Sequence, residues 1–347
     1  MPTTYAIPDG RTAMAATLYT GNSSTQTISN AVNGVSMQPD FVWIKNRSVT
    51  AQHVLTDSVR GVDRQLFSAL PNAEQTSATA ITSLNIGGFS LGANPSPTGS
   101  TNSSPDAFVG WQWKAGGAAV TNTAGSISSQ VSANTTAGFS VVTYTGTQTA
   151  STVGHGLGVA PKMVIVKARS NGTFNWTTWH GTFTGNGYIY IDGTNAVGSS
   201  SGPWNGTLPT SSVFSLGADL GTNRSGDTYV AYVFTAVAGY SAFGSYTGNG
   251  SADGPFVYLG FRPRFVMFKR TDSTGAWFME DTSRGTYNVM GPELYANSSD
   301  AEATVNRLDV LSNGFKMRAA NAGDNASGGT YIYAAFAETP FKYSNAR

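Results

Sequence analysis

The stretch PKMVIVK, from Pro161 to Lys167, decides the fold because variants of it occur at two other places: PDFVWIK from Pro39 to Lys45 and PRFVMFK from Pro263 to Lys269. Proline and lysine are six residues apart in all three. The residues between them are mostly apolar without alternation, which is typical of a strand buried on both faces. Proline is tolerated at the first residue of a strand. Each stretch is therefore predicted to form a central strand of a β-sheet.

Two further motifs accompany each of these stretches in the same order. A Tyr-Thr-Gly triplet precedes it, starting at Tyr19, Tyr144 and Tyr246. An alternating aromatic stretch follows it: FVGWQW from Phe108 to Trp113, YVAYVF from Tyr229 to Phe234 and YIYAAF from Tyr331 to Phe336. From the proline to the first aromatic of that stretch is 69, 68 and 68 residues. Self-similarity at a fixed period is the signature of a repeat, so we infer three tandem copies of one unit.

The unit is predicted to be all-β, and the chain to be three tandem β-sandwich, jelly-roll-like units of about 100 residues each. Ser, Thr, Asn and Gly turns separate its short strands, which is the spacing of a sandwich. The predicted boundaries are an N-terminal arm at 1–16, unit 1 at 17–116, a linker at 117–136, unit 2 at 137–238, and unit 3 with a short C-terminal tail at 239–347. The linker is small and polar, so we expect unit 1 to be more loosely joined.

Composition excludes several kinds of function. The chain has 347 residues, 41 glycines, no cysteine, three histidines and a net charge of +1, and only 11% of its residues are charged. Without cysteine there is no disulfide framework and no thiolate metal site. The lack of a basic block argues against nucleic-acid binding, and the lack of an eighteen-residue apolar run argues against membrane insertion. We expect no cofactor and no metal.

The acidic residues offer no clear catalytic pair. Glycan hydrolysis usually needs two carboxylates set about 5–10 Å apart, and the tightest acidic cluster is Glu280-Asp281. Adjacent residues of a strand point to opposite faces, which separates these two groups. The related motifs Asp57–Arg60 and Asp281–Arg284 are predicted to close turns, and Trp179 takes the aspartate's place in unit 2. No catalytic residue is predicted, and the protein is not expected to be an enzyme.

Aromatic side chains are the better candidates for ligand binding. Sugar-binding sandwiches stack an exposed indole on the apolar face of a pyranose. The candidates, which lie in or beside loops rich in Gly, Asn and Thr, are Trp176, Trp179, His180, Trp204 and Trp277. The alternative is that these rings cap the small core of a sandwich.

Several stretches resemble a family of tailed-bacteriophage virion proteins that are usually described as tail-fibre-like. These are DFVWIKNRS, WQWKAGGAAVTNTAGSISSQVSANTTAGFSVVTYTG, VGHGLGVAPKMVIVK, GPFVYLGFRPRFVMFKRTDSTGAW, LSNGFKMR and the ending FAETPFKYSNAR. The resemblance covers nearly the whole chain and implies a component of the virion exterior, made in the host bacterial cytoplasm. It brings no established catalytic or ligand residues.

The resemblance and the loop tryptophans together lead us to expect a tail-fibre or receptor-binding appendage that adheres to a host surface glycan or receptor. The alternative is a capsid decoration or head-fibre protein, and a glycan depolymerase is a more distant one. The expected partners are other virion proteins of the tail or capsid. Such appendages are often homotrimers, although the three units could instead stand around a pseudo-threefold axis within one chain.

Overall fold

The computed structural model describes residues 5–93 and 99–337. We call residues 14–113, 120–234 and 241–337 segments one, two and three. Segment one contains β1 (Met14–Thr20), β2 (Gln26–Ser29), β3 (Phe41–Asn46), β4 (Val54–Asp57), β5 (Gly61–Leu66), β6 (Gln75–Thr76), β7 (Ile81–Asn85), β8 (Gly88–Leu91) and β9 (Ala107–Trp113). Segment two contains β10 (Val120–Asn122), β11 (Ser129–Asn134), β12 (Phe139–Thr145), β13 (Ser151–Gly154), β14 (Met163–Ala168), β15 (Thr177–His180), β16 (Gly187–Tyr190), β17 (Gly198–Ser199), β18 (Val213–Leu216) and β19 (Thr228–Phe234).

Segment three contains β20 (Ser241–Thr247), β21 (Phe256–Tyr258), β22 (Pro263–Arg270), β23 (Trp277–Asp281), β24 (Met290–Tyr295), β25 (Ala303–Leu311), β26 (Gly314–Met317) and β27 (Thr330–Ala337). The helices of the described residues are short: a 3-10 turn (Gly10–Thr12), α1 (Ser201–Trp204), α2 (Leu220–Asn223) and α3 (Ala322–Asn325). The prediction of an all-β protein is therefore confirmed.

The three segments use the same strand order in their main sheets. It is β1-β9-β3-β4-β5 in segment one, β12-β19-β14-β15-β16 in segment two and β20-β27-β22-β23-β24 in segment three. All neighbouring strands in these series are antiparallel. The strands that begin near the motif prolines, β3, β14 and β22, lie inside their sheets, and every residue of β3 and β14 is buried. The prediction that these are central strands is confirmed.

The main sheets of segments one and two pack a separate apolar cluster against each of their two faces. In β19, Val230, Tyr232 and Phe234 belong to one apolar cluster that extends through all three segments. The alternate residues Tyr229, Ala231 and Val233 belong to a second cluster, which β13 and β18 close from the other side. β19 is therefore buried on both faces: one face packs within its own β-sandwich, and the other packs against the neighbouring segments.

Aromatic rings from the three segments meet at the centre of the molecule. Trp113 and Phe234 end the closing strands β9 and β19, and Phe336 is the last residue but one of the closing strand β27. Their ring centroids form a triangle with sides of 6.4, 5.7 and 5.6 Å. The small cavity beside them, of about 30 Å³, is lined mainly by apolar side chains from all three segments. Its apolar lining suits packing and gives a water few partners.

The contacts between segments run in a closed cycle. Lys45 Nζ donates to the carbonyl of Ser299 in segment three at 3.2 Å. Lys167 Nζ donates to the carbonyl of Pro71 in segment one at 2.9 Å, and Lys269 Nζ donates to that of Asn195 in segment two at 2.9 Å. The three segments thus contact one another in a closed cycle within one chain.

Two of the predicted boundaries need correction. The predicted linker at 117–136 contains β10 and β11, which pair with each other and join the main sheet of segment two through β12. Segment one is not loosely joined, because its aromatic residues share the common cluster. Ile7 packs into that cluster and Met14 to Ala16 belong to β1, so these described residues of the predicted arm at 1–16 are part of the fold. The predicted C-terminal tail lies outside the described residues.

Candidate functional site

The five residues predicted to bind a ligand are all buried. The exposed fraction is 1% for Trp176, 4% for Trp179, 1% for His180, 2% for Trp204 and 1% for Trp277. None of these rings can lie flat against a sugar, so the prediction of exposed stacking rings is wrong. Trp179 and Trp204 pack in the second cluster, within segment two, and Trp176 and Trp277 pack in the cluster that extends through the three segments. Sequence reasoning placed them in or beside loops, but Trp179 and His180 lie in β15, Trp277 begins β23 and Trp204 ends α1. Trp176, just before β15, is covered by segment one.

Three of the predicted residues join one segment to another. Trp176 Nε1 donates to the carbonyl of Phe67 in segment one at 2.9 Å. Trp277 Nε1 donates to that of Tyr190 in segment two at 2.7 Å. His180 Nε2 lies 3.1 Å from the carbonyl oxygen of Tyr333 in segment three, and burial lowers the pKa of His180 to about 4. These rings therefore fix the packing of the three segments.

The repeated aspartate–arginine motif also has a structural role. Asp57 accepts from the backbone N–H of Arg60 at 2.8 Å and from its Nε at 2.5 Å, and Asp281 and Arg284 make the same contacts at 3.0 and 2.6 Å. Both pairs are fully buried. In segment two the corresponding register position is occupied by His180, opposite Met163, and not by Trp179.

The acidic pair Glu280-Asp281 is divided by this arrangement. Asp281 is bound to Arg284, whereas neither carboxylate oxygen of Glu280 has a hydrogen-bond partner in the described residues. Burial raises the pKa of Glu280 well above its usual value, while the pKa of Asp281 is lowered: burial opposes this, but the charge and hydrogen bonds of Arg284 outweigh it. Both groups are inaccessible to a polymer, so this pair is not a candidate catalytic site.

The outer side of segment three carries an exposed pair of aromatic rings. Phe256 and Tyr258 alternate on β21, with exposed fractions of 45% and 68%, while Val257 between them is 6% exposed. This alternation is that of a strand with one face on the core and one face in water. Because β21 is the last strand of its sheet, both rings stand at an accessible edge.

Charged side chains lie next to these rings on the same face. Lys316 is opposite Phe256 on β26, and Asp309 is opposite Lys316 on β25. Lys316 Nζ lies 2.6 Å from Asp253 Oδ1, and this hydrogen bond lowers the pKa of Asp253. We call Phe256, Tyr258, Lys316 and Asp309 the aromatic face of segment three.

The corresponding positions of the other segments carry no aromatic residue. The strand equivalent to β21 is β2 in segment one and β13 in segment two, since each pairs with the same motif strand through Ile28↔Phe89 and Val153↔Phe214. The places of Phe256 and Tyr258 are taken there by Thr27 and Ser29, and by Thr152 and Gly154. The same fold thus tolerates small polar residues here, so the two rings are not required for the packing of the unit.

The aromatic face has the chemistry of a carbohydrate platform. Flat rings stack against the apolar face of a sugar, and neighbouring ammonium and carboxylate groups bond its hydroxyls. Sequence reasoning missed it, because FVY reads as an ordinary strand. One signal in the sequence could have indicated this face: segment three has aromatic residues at two positions where the other two segments have Ser, Thr or Gly.

Other kinds of site are not seen in the described part of the chain. In residues 5–93 and 99–337, no group of three or more His, Asp or Glu side chains is placed to hold a metal ion. No helix among those residues has the length and apolar character needed to cross a membrane.

These features define a class: an all-β protein in which three similarly built segments share an aromatic core, with the exposed aromatic pair Phe256 and Tyr258 on segment three. The chain belongs to the family described as "Domain of unknown function (DUF7483)", whose model matches residues 10–340. No curated protein matches the chain.

Proposed function

We propose that the protein is a structural component of a bacteriophage virion, a tail-fibre or receptor-binding appendage that adheres to glycan on the host surface through the aromatic face of segment three. The stretches that resemble tail-fibre-like virion proteins support the location. The exposed pair Phe256 and Tyr258 supports the ligand, and it is the observation on which the proposal rests most.

The physical properties of the chain suit such a role. An appendage assembled in a reducing cytoplasm and then exposed to the medium must be stable without disulfides, and this chain has no cysteine. Its stability comes from the apolar cluster shared by the three segments. The role requires binding and no bond cleavage.

Binding of the purified protein to an array of bacterial lipopolysaccharides and capsular polysaccharides tests the ligand. The double variant Phe256→Ala/Tyr258→Ala should weaken binding at least about tenfold, since aromatic stacking contributes roughly 0.5–1.5 kcal/mol per ring beyond its buried area. Leu208→Ala is the matched control, because Leu208 is an exposed apolar side chain of segment two. Equal binding by the double variant, or no binding of the native protein to any glycan, would contradict the proposal.

Labelling of intact particles with an antibody and electron microscopy tests the location. Label on the tail is the expected result. Label on the head would contradict a tail location and would instead favour the capsid decoration or head-fibre alternative.

A further inference from the structure

The three junctions between segments are built alike at one backbone position. The N–H of Glu302 donates to the carbonyl of Arg47 at 2.9 Å, and the N–H of Glu74 donates to that of Arg169 at 2.8 Å. At the third junction the N–H of Val197 donates to the carbonyl of Thr271 at 2.9 Å. At this third junction, Val197 therefore takes the place of the glutamate and Thr271 takes the place of the arginine.

The first two junctions are closed by ion pairs between those side chains. The Arg47 guanidinium binds both carboxylate oxygens of Glu302, at 2.8 and 2.6 Å. That of Arg169 binds both carboxylate oxygens of Glu74 at 2.9 Å. These bidentate contacts fill the outer side of each junction.

The third junction has an open groove at the same place. Thr271 and Val197 both line it, and its volume is about 280 Å³. This volume is just below the roughly 300–1,000 Å³ of pockets that bind drug-sized ligands. The groove therefore suits a single sugar ring better than an oligosaccharide.

The walls of this groove differ in chemistry. Phe183, Val197 and Ile332 supply apolar surface. The polar lining residues are four hydroxyl side chains and one carboxylate: Thr182, Ser245, Thr271, Thr330 and Asp272. An aromatic and aliphatic side together with several hydroxyl groups matches a pyranose, which has an apolar C–H face and a rim of hydroxyls.

The polar groups are held in position by the fold. Thr271 Oγ1 lies 2.8 Å from Thr330 Oγ1. The guanidinium of Arg270 binds both oxygens of Asp272 at 3.0 Å, and this hydrogen bonding lowers the pKa of Asp272 to about 2. The carboxylate is thus ionised at neutral pH but compensated by Arg270, so the groove favours a neutral ligand with hydroxyl donors.

We propose that the groove between segments two and three, lined by Thr271, Val197, Thr330 and Phe183, binds one neutral hexopyranose unit. This second sugar site goes beyond the adhesion proposed for the aromatic face, and it does not depend on Phe256 or Tyr258.

The sharpest test restores the ion pair of the other two junctions. The double variant Thr271→Arg/Val197→Glu should close the groove while keeping the fold. Saturation-transfer NMR of the full chain with free glucose, galactose and mannose is carried out in the Phe256→Ala/Tyr258→Ala background, so that the aromatic face does not contribute. It should show transfer to at least one hexose when the groove is intact and none when Thr271→Arg/Val197→Glu is added. In that background, lack of transfer to all three sugars with the groove intact would overturn the proposal, as would transfer that persists after the groove is closed.

Two further variants separate this site from the aromatic face and from a loss of folding. Thr330→Val keeps the shape and removes one hydroxyl, so the affinity for the hexose should fall about fivefold, as for the loss of one net hydrogen bond. Phe256→Ala/Tyr258→Ala should retain transfer to the hexose, because the groove is intact in this variant. An unchanged affinity in Thr330→Val, or loss of transfer in the aromatic variant, would count against a site in this groove.

Discussion

At the scale of single residues, a buried asparagine holds the entry loop of each segment. Asn223 Nδ2 donates to the carbonyls of Gly217 and Thr149, both at 2.7 Å, and its Oδ1 accepts from the N–H of Thr147 at 2.8 Å. Asn102 and Asn325 make corresponding contacts in the other segments. Each lies six residues before the first aromatic of a closing strand, so the constant spacing could have revealed them.

Replacing this asparagine should be costly because it leaves several buried backbone groups without partners. We expect Asn223→Ala to lower the free energy of unfolding by about 2–4 kcal/mol, measured by urea denaturation. Asn195→Ala, at an exposed position, should change it by less than about 0.5 kcal/mol. Similar small effects for both variants would show that the clamp is not important for stability.

Burial at single positions is where prediction from sequence failed. The tryptophans of segment two follow loop-type residues, and a loop is expected at the surface. Here the loops are covered by another segment, as for Trp176 against Phe67 and Leu70. Contacts between parts of the chain that are about 100 residues apart leave no local pattern, so neither these contacts nor the groove could be read from the sequence.

At the scale of elements, the sequence predicted the strands that repeat and missed those that do not. The central strands β3, β14 and β22 follow from continuous apolar runs. The strands β10 and β11 were missed, since their surroundings are mostly small polar residues without charge. Val131 of β11 is 2% exposed and packs in the second cluster. Ile127 packs in the same cluster and β11 pairs with β12, so a segment that composition alone assigns to a linker joins the sheet.

The junction between segments one and two depends on a glutamate just before β6. Glu74 binds Arg169 at 2.9 Å and also Arg60 at 2.9 Å, whose side chain is fully buried. We expect Glu74→Ala to lower the free energy of unfolding by about 2–3 kcal/mol, because it leaves a buried guanidinium with one carboxylate fewer.

The exposed pair Asp63 and Arg64 provides the control for Glu74. Its charges are 3.6 Å apart and both side chains are more than 40% exposed. Asp63→Ala should therefore cost less than about 1 kcal/mol. Chemical denaturation of both variants against the native protein measures the difference, and equal losses would mean that the junction ion pair contributes no more than a surface pair.

At the scale of the whole molecule, the shared core predicts that the three segments unfold together. Residues of all three belong to one apolar cluster, and Trp113, Phe234 and Phe336 contact one another directly. Removing any one segment would expose the inner faces of the other two. We therefore expect that no segment is stable when it is separated from the others. We expect a single calorimetric transition with equal calorimetric and van't Hoff enthalpies.

A chain ended at residue 238 gives the complementary test of this coupling. It keeps segments one and two but loses Phe336, Phe265 and the other central residues of segment three. If the core is truly common, this shortened chain should bind a hydrophobic dye and lack a cooperative transition, because its inner apolar faces are open to water. Separate transitions in the full chain, or a cooperatively folded shortened chain, would mean that the cyclic contacts contribute little and that the segments are independent domains.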